Sequence, residues 1–410
     1  MHVSPEGTKV ARRFERPRIR RRDCECRQIP RADTQSRDGQ LEYHSALPAP
    51  AMTRAANDNG ASKSMRIVRI SLAIAGLATA LAAPQAAAQL EKSALKLTLG
   101  WLFQAPQAPY VYTAEKGYFK AEGLEVTIDR GAGSGASIQR VISGSHEIGH
   151  ADMGVIIKWN AENPDKPLTV FYVPEDGYPL AIISLKDRAN ITSPKQLEGR
   201  KLGAPVFDGA RQMFPSLAKA NGIDMAKVTW VTMDAPLREP MLVRGEVDAI
   251  AGFITSGGLG VEGLGVKREN IVVMKYDDHK LDGYGNVVFA TRDFIEKNPR
   301  TIAALTRAIN RGYRDTVADP RATVNSLKGR DPLVNADLEM KRMVLAIKEM
   351  YLTPNVRANG MSNVEVPKLE KSIASTLDAF NVKSALKPEQ VYTDRFLPPK
   401  AERMMPAFKE

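Results

Sequence analysis

Glu125-Val126-Thr127-Ile128-Asp129, then Gly131-Ala132-Gly133-Ser134-Gly135, then a helix-length run closed by Ser143-Gly144, then Glu147-Ile148-Gly149-His150-Ala151: this stretch reads as strand, glycine-rich turn, helix and strand. Alternating apolar residues carry the strands, and glycine stops the helix. Working outward, Leu95 to Leu99 alternates as an earlier strand, and Ala108 to Lys116 suits a helix ended by Gly117. Downstream, a helix over Val155 to Asn163 precedes a strand over Leu168 to Val173. Strands alternating with helices indicate an α/β fold.

A second set follows the turn-rich Pro174-Glu175-Asp176-Gly177-Tyr178-Pro179, which suits a passage between two lobes. Its expected strands are Leu180 to Leu185, Lys201 to Ala204, Val228 to Val231, Asp248 to Gly252 and Ile271 to Lys275, with helices near Gly209 to Ala220 and Leu237 to Arg244. Asp277 to Gly285 is polar and turn-like, and Val287 to Ala290 is a strand that returns to the first lobe. Beyond it, Pro299 to Val317, Asn335 to Met350 and Val364 to Phe380 read as helices.

The chain has 410 residues, 43% of them apolar, enough to bury a sizeable core in two lobes. Its 26 Pro and 30 Gly follow no period, which excludes collagen, solenoid and coiled-coil readings. The net charge of +11 is unevenly placed: +5 in residues 1–64, +2 in 65–88 and +4 in 89–410. So mild a positive balance on the body gives no reason to expect a nucleic-acid partner.

Met65 opens a secretory pattern: Arg66 and Arg69, an apolar run from Ile70 to Ala83, then Ala86-Ala87-Ala88. Cleavage is expected after Ala88. The run is about 14 residues against the ~20 a membrane-spanning helix needs, so it exports the chain rather than anchoring it. Residues 1–64 are expected to be either a mis-annotated extension before a true start at Met65 or a disordered basic arm. Both cysteines, Cys24 and Cys26, fall there, so residues 89–410 hold no thiol nucleophile and no disulfide. Position 89 is Gln where a lipoprotein would need Cys, so a freely diffusing periplasmic protein is expected.

Glu115-Lys116-Gly117-Tyr118-Phe119-Lys120-Ala121-Glu122-Gly123-Leu124 resembles the opening signature of the SsuA/THI5-like family, the nitrate/sulfonate/thiamine-precursor class of ABC-transporter periplasmic substrate-binding proteins. Ser143-Gly144 through Asp152-Met153-Gly154, Leu197-Glu198-Gly199-Arg200-Lys201-Leu202-Gly203 and Arg244-Gly245-Glu246-Val247-Asp248-Ala249-Ile250 resemble further landmarks in the family's order, over roughly residues 94–390. The resemblance implies a type II periplasmic-binding fold, two α/β lobes joined by a double-crossover hinge. On that basis residues 89–177 form the first part of lobe 1, 178–284 form lobe 2, and 285–410 complete lobe 1 with the return strand and C-terminal helices. It also implies a monomeric, non-catalytic receptor without a cofactor, which closes on a small-molecule ligand and delivers it to an ABC permease at the inner membrane. The hinge is expected near Tyr172 to Tyr178 and Asp282 to Val288.

Open α/β sheets bind ligands beyond the carboxyl ends of their strands. The expected ligand-binding residues are therefore Trp101, Phe103, Gln104, Gly133, Ser134, Gly135, Asp152, Met153, Tyr172, Tyr178, Phe207, Asp208, Arg211, Phe253 and Thr255, with Met233-Asp234 also at a strand end. The Gly133-Ser134-Gly135 turn opens a helix and presents free N–H groups to a ligand oxygen, unless it is simply a tight turn. The aromatic side chains can stack on a planar ligand. Glu175, Asp176 and Asp208 repel anions if they face the cleft, whereas Arg211 could pair with Asp208 or clamp an anion. Where the pyrimidine-binding branch has an Asn and a His after its first-strand Trp, this chain has Leu102 to Gln107 without either. A pyrimidine-like heterocycle, a sulfonate-type anion and an aromatic carboxylate all stay open as ligands.

His146-Glu147-Ile148-Gly149-His150 spells His-Glu-x-x-His, a zinc site when helical, so a secreted zinc-dependent hydrolase is the alternative, with Glu175 a possible third ligand. As a strand the motif separates the two imidazoles by ~13 Å of rise, too far for one ion. Related synthases and desulfinases rely on cysteines that residues 89–410 lack.

Overall fold

A computed structural model describes residues 89–409 of the chain. The secretory segment and the basic arm before it lie outside the described residues. Ten strands fall into two sheets: β1 (Ala94–Thr98), β2 (Glu125–Asp129), β3 (Ile148–Asp152), β4 (Leu168–Tyr172), β5 (Leu180–Leu185), β6 (Lys201–Gly203), β7 (Thr229–Val231), β8 (Ala249–Phe253), β9 (Ile271–Lys275) and β10 (Asn286–Thr291). The ranges of β2, β5 and β9 coincide with those expected from residue patterning.

The first sheet has the order β2-β1-β3-β10-β4 and the second β7-β6-β8-β5-β9. In the first, β1 pairs parallel with β2 and β3, while β10 runs antiparallel to β3 and β4. In the second, β6 is parallel to β7 and β8, while β5 is antiparallel to β8 and β9. Each antiparallel strand is the one laid down just after the chain crosses between sheets. The result is the two-lobed type II arrangement with a double crossover.

Eight helices matter for the site and its support: α1 (Ala108–Glu115), α2 (Ser134–Ile142), α3 (Met153–Glu162), α4 (Gly209–Asn221), α5 (Arg238–Arg244), α6 (Pro299–Ala318), α7 (Ala336–Ala346) and α8 (Val366–Ala379). Their ends follow side-chain chemistry. Asp152 caps α3 by accepting from Val155 N, and Asp208 caps α4 by accepting from Ala210 N and Arg211 N. Gly222 and Gly245 end α4 and α5 in the left-handed conformation. In α6, Ile302, Leu305, Ile309 and Tyr313 share the buried face that packs on α1.

Strands β4 and β5 are buried along their whole length: β5 is an interior strand covered on both faces, and β4, at the edge of its sheet, is covered by the chain at Tyr392–Thr393, where Thr393 N donates to Val170 O at 3.0 Å. One apolar cluster takes Val170 and Phe289 from the first sheet together with Ile182, Leu202 and Ala251 from the second. Another fills lobe 1 around Tyr110, Ile309 and Tyr313, and a third fills lobe 2 around Ile183 and Ile250.

The helix expected through Met350 instead stops at Ala346 and continues as a π turn, Ile347–Tyr351. Its Met350 carbonyl accepts from Asp176 N at 3.0 Å and Gly177 N at 3.3 Å. The wide turn thus turns a carbonyl outward to hold the first crossing segment, a constraint that local periodicity cannot reveal.

Candidate functional site

A cavity of about 20 Å³ lies between the carboxyl ends of the two sheets. Lobe 1 lines it with Gly100, Trp101, Gln104, Pro106 and Gln107 between β1 and α1, with Gly133 and Ser134 at the start of α2, and with Asn286 at the start of β10. Lobe 2 contributes Asp208 and Gly209 at the start of α4, Arg238 of α5, and Phe253, Thr255 and Ser256 at the end of β8. The space suits about one water, so a larger ligand enters only when the lobes part.

The lobes meet over glycine. Gly135 N donates to Phe207 O at 3.2 Å. A Cβ on Gly133 would stand 2.2 Å from that same carbonyl, at a φ of 119° that side chains disfavour. Gly133→Ala is therefore expected to wedge the lobes apart. Small-angle scattering should show a larger radius of gyration than the parent; an unchanged radius places the seam elsewhere.

Arg238 is 1% exposed and its five N–H groups are all engaged. Nη1 donates to Asp208 Oδ2 at 2.9 Å and to Ala251 O at 3.4 Å. Nη2 donates to Glu239 Oε1 at 2.6 Å and Ser256 Oγ at 3.0 Å, and Nε donates to Glu239 Oε1 at 3.1 Å. Arg238 Cζ lies over the Trp101 ring, 4.5 Å from its centroid. Burial alone would lower the Arg238 pKa, but Glu239 and Asp208 raise it, so the guanidinium stays charged.

Three buried polar atoms on residues lining the cavity have no hydrogen-bond partner among the described residues: Trp101 Nε1, a donor, and Gln104 Oε1 and Gln107 Oε1, both acceptors. Each such group costs about 1–3 kcal/mol unless something answers it. Behind the residues that line the cavity, burial pushes Asp152 well above the usual carboxylate range and Glu175 up to about 8, and drops His150 to about 3. Burial also pushes Asp208 up, against Arg238 and the N–H groups of Arg211 and Ala210.

Of the expected residues, Trp101, Gln104, Gly133, Ser134, Asp208, Phe253 and Thr255 come together here. The others sit on neighbouring positions whose side chains go elsewhere. Phe103 packs on the lobe 1 core near Arg330, and Met153 is buried in the shared core. Tyr172 donates to Asn310 Oδ1 at 3.1 Å inside lobe 1. Tyr178 lies against Gly283 at the crossings. Gly135 and Phe207, the latter 42% exposed, form the seam outside the cavity. Asp152 stands behind the wall, donating its N–H to Ser134 Oγ at 3.0 Å. Met233 is buried in lobe 2's core, and Asp234 precedes a short turn.

The Arg211 guanidinium neither pairs with Asp208 nor lines the cavity: it lies 4.8 Å from the Trp230 ring centroid, and its Nη1 donates to Ala204 O at 2.7 Å and Thr232 Oγ1 at 3.0 Å. Arg238, far away in sequence, pairs with Asp208 instead. Glu175 accepts from Asn286 N at 2.7 Å, and Asp176 accepts from Thr353 Oγ1 and Asn355 Nδ2, so neither lines the cavity. Patterning did not single out Gly100, Pro106, Gln107, Arg238 or Asn286. An arginine two residues after Ala235-Pro236 was the available signal, but only the fold brings it to β8.

The His-Glu-x-x-His stretch is not helical. His150 lies in β3, its Nδ1 accepting from Gly100 N at 3.2 Å, while His146 precedes the strand and meets Asp129 Oδ2 at 2.9 Å. Glu147 is held by Lys92 and Lys96 N. The pairing that the hydrolase alternative requires is therefore not made.

Among solved structures, the alkanesulfonate-binding protein SsuA of Xanthomonas axonopodis pv. citri shares the fold at a TM-score of 0.56 and 13% identity, covering 78% of this chain and 96% of that one. Riboflavin-binding protein RibY of Chloroflexus aurantiacus is 27% identical, over 64% of this chain and 74% of its own length. Formylaminopyrimidine-binding protein of Halalkalibacterium halodurans is 26% identical over 71% of this chain and 85% of its own. A 4-amino-5-hydroxymethyl-2-methylpyrimidine phosphate synthase of Aspergillus parasiticus is 22% identical over 59% and 72%. A family model described as NMT1/THI5 like matches residues 104–323, more than half of the 410-residue chain, and the chain belongs to that family.

Proposed function

We propose that this chain is an exported solute-binding protein whose two lobes close on a neutral planar heterocycle, unaltered chemically, and present it to an ABC importer. The observation that carries this reading is the set of unanswered polar atoms beside an aromatic face. Trp101 Nε1 needs an acceptor, and the Oε1 atoms of Gln104 and Gln107 need donors. A ring bearing both N–H and ring-nitrogen or carbonyl groups supplies both, and Trp101 and Phe253 offer flat apolar surface to its faces.

A sulfonate fits less well, because the one cation lining the cavity has spent its donors on Asp208, Glu239, Ser256 and Ala251. Two relatives named for riboflavin and formylaminopyrimidine binding point the same way, both being ligands with flat nitrogen heterocycles. The relative named as a synthase leaves enzymatic turnover to be tested, although residues 89–410 of this chain contain no cysteine. We place the hinge in the segments 173–179 and 276–285, which link the sheets, and export and release in the periplasm follow from the secretory pattern before residue 89.

A thermal-shift panel of riboflavin, an aminopyrimidine, an alkanesulfonate and an aromatic carboxylate tests the reading, since selective binding to the native state raises the melting temperature. The heterocycles should raise it and the sulfonate should not. Trp101→Ala should weaken heterocycle binding about tenfold while leaving the protein folded. A shift only with the sulfonate, or unchanged affinity in the variant, overturns the assignment.

A further inference from the structure

Resting on the heterocycle reading, we infer that Asp208, Glu239 and Ser256 convert Arg238 from an anion clamp into a flat stacking face, and that this face with Trp101 forms the slot selecting neutral rings over sulfonates. An arginine facing a ligand cleft ordinarily offers a fork of N–H donors to carboxylate, sulfonate or phosphate. Here the fork is turned inward. Every N–H of Arg238 already has an acceptor, two of which are carboxylates, so the cluster carries one more negative charge than positive when Asp208 and Glu239 are ionised.

What remains toward Trp101 is the plane of the guanidinium, 4.5 Å from the indole centroid. Trp101 belongs to lobe 1 and Arg238 to lobe 2. Opening the lobes by about the thickness of one aromatic ring separates two flat groups, one an indole and the other a planar cation, both suited to stacking. The edge of a ring placed between them comes within the region lined by Gln104 and Gln107. An anion in the same place would meet a guanidinium with no donor free and two carboxylates behind it.

The test uses the chain from residue 89, with riboflavin and ethanesulfonate as probes. Arg238→Lys keeps the charge and loses the plane: riboflavin affinity should fall at least tenfold, together with the quenching of flavin fluorescence that stacking produces. Glu239→Gln keeps the acceptor and removes a charge: the ratio of ethanesulfonate to riboflavin affinity should rise at least tenfold. Riboflavin binding unchanged in Arg238→Lys, or an unchanged ratio in Glu239→Gln, overturns the slot while leaving the heterocycle reading in place. If the parent chain binds neither riboflavin nor an aminopyrimidine, both fall together. Should Arg238→Lys fail to fold, Glu239→Gln decides.

Discussion

Asp208→Ala is expected to lower the unfolding free energy by about 3–5 kcal/mol, the range for removing one partner of a buried ion pair. Asp208 and Arg238 are 2% and 1% exposed, and their contact is 2.9 Å. Removing the carboxylate leaves the guanidinium partly unanswered in a medium that cannot hydrate it. Glu239 still holds Nη2 at 2.6 Å, which places the loss toward the lower end. A second contribution of about 1 kcal/mol comes from uncapping α4, whose Ala210 and Arg211 N–H groups lose their acceptor. Asp208→Asn separates the two, since its amide oxygen can still cap the helix. The double variant Asp208→Ala with Arg238→Met should recover much of the loss, because it removes the stranded charge. Urea unfolding of the three variants checks this, and a double variant no more stable than Asp208→Ala would show that the pair is not what holds this wall together.

The lobes were legible because their signals are local. Glu125–Asp129 alternates apolar and polar residues, Leu180–Leu185 and Ile271–Lys275 are mostly apolar runs, and the fate of all three depends little on distant contacts. The order of the strands was not local. Nothing in the residues of β10 says that it lies between β3 and β4; patterning and the family resemblance pointed only to a strand that returns to the first lobe. The π turn at Ile347–Tyr351 escaped for the same reason, since its cause is the crossing segment it grips at Asp176 and Gly177.

The site divides along a similar line. Residues at strand ends were found when their own backbone placed them, as with Trp101 after β1 and Ser134 at the start of α2. Side-chain direction was lost two or three residues further on: Phe103 turns into the lobe 1 core two positions after Trp101, and Arg211 turns onto Trp230 three positions after Asp208. Arg238 was invisible because its role depends on packing α5 against β8, so that its guanidinium lies beside Ala251 O and Ser256 Oγ. The electrostatic character inferred for the cleft changed accordingly: Asp208 does face it, but neutralised from a direction that local sequence did not indicate.

The second large effect concerns Glu175, which joins the two crossing segments. Its backbone carbonyl accepts from Gly285 N at 2.9 Å and its Oε2 from Asn286 N at 2.7 Å. The side chain is fully buried, beside the edge-to-face tyrosines Tyr110, Tyr313 and Tyr351. Burial raises its pKa from 4.5 to about 8, although the two Asn286 hydrogen bonds pull the other way. The folded state therefore holds this proton more tightly than the unfolded chain does. Between about pH 4.5 and 8 the native state binds more protons than the unfolded state, so stability falls as pH rises through that window and levels off above it. Asp152 is shifted in the same direction by burial and adds to the slope. At about 1.4 kcal/mol per unit, the contribution of Glu175 is on the order of 5 kcal/mol at most. Glu175→Gln keeps a neutral side chain at every pH and should flatten the decline, leaving the variant more stable than the parent near pH 8. Unfolding free energies measured across the window decide it: a parent whose stability is flat or rising from pH 5 to 8, or a variant with the parent's slope, would mean that the hinge carboxyl is not held neutral.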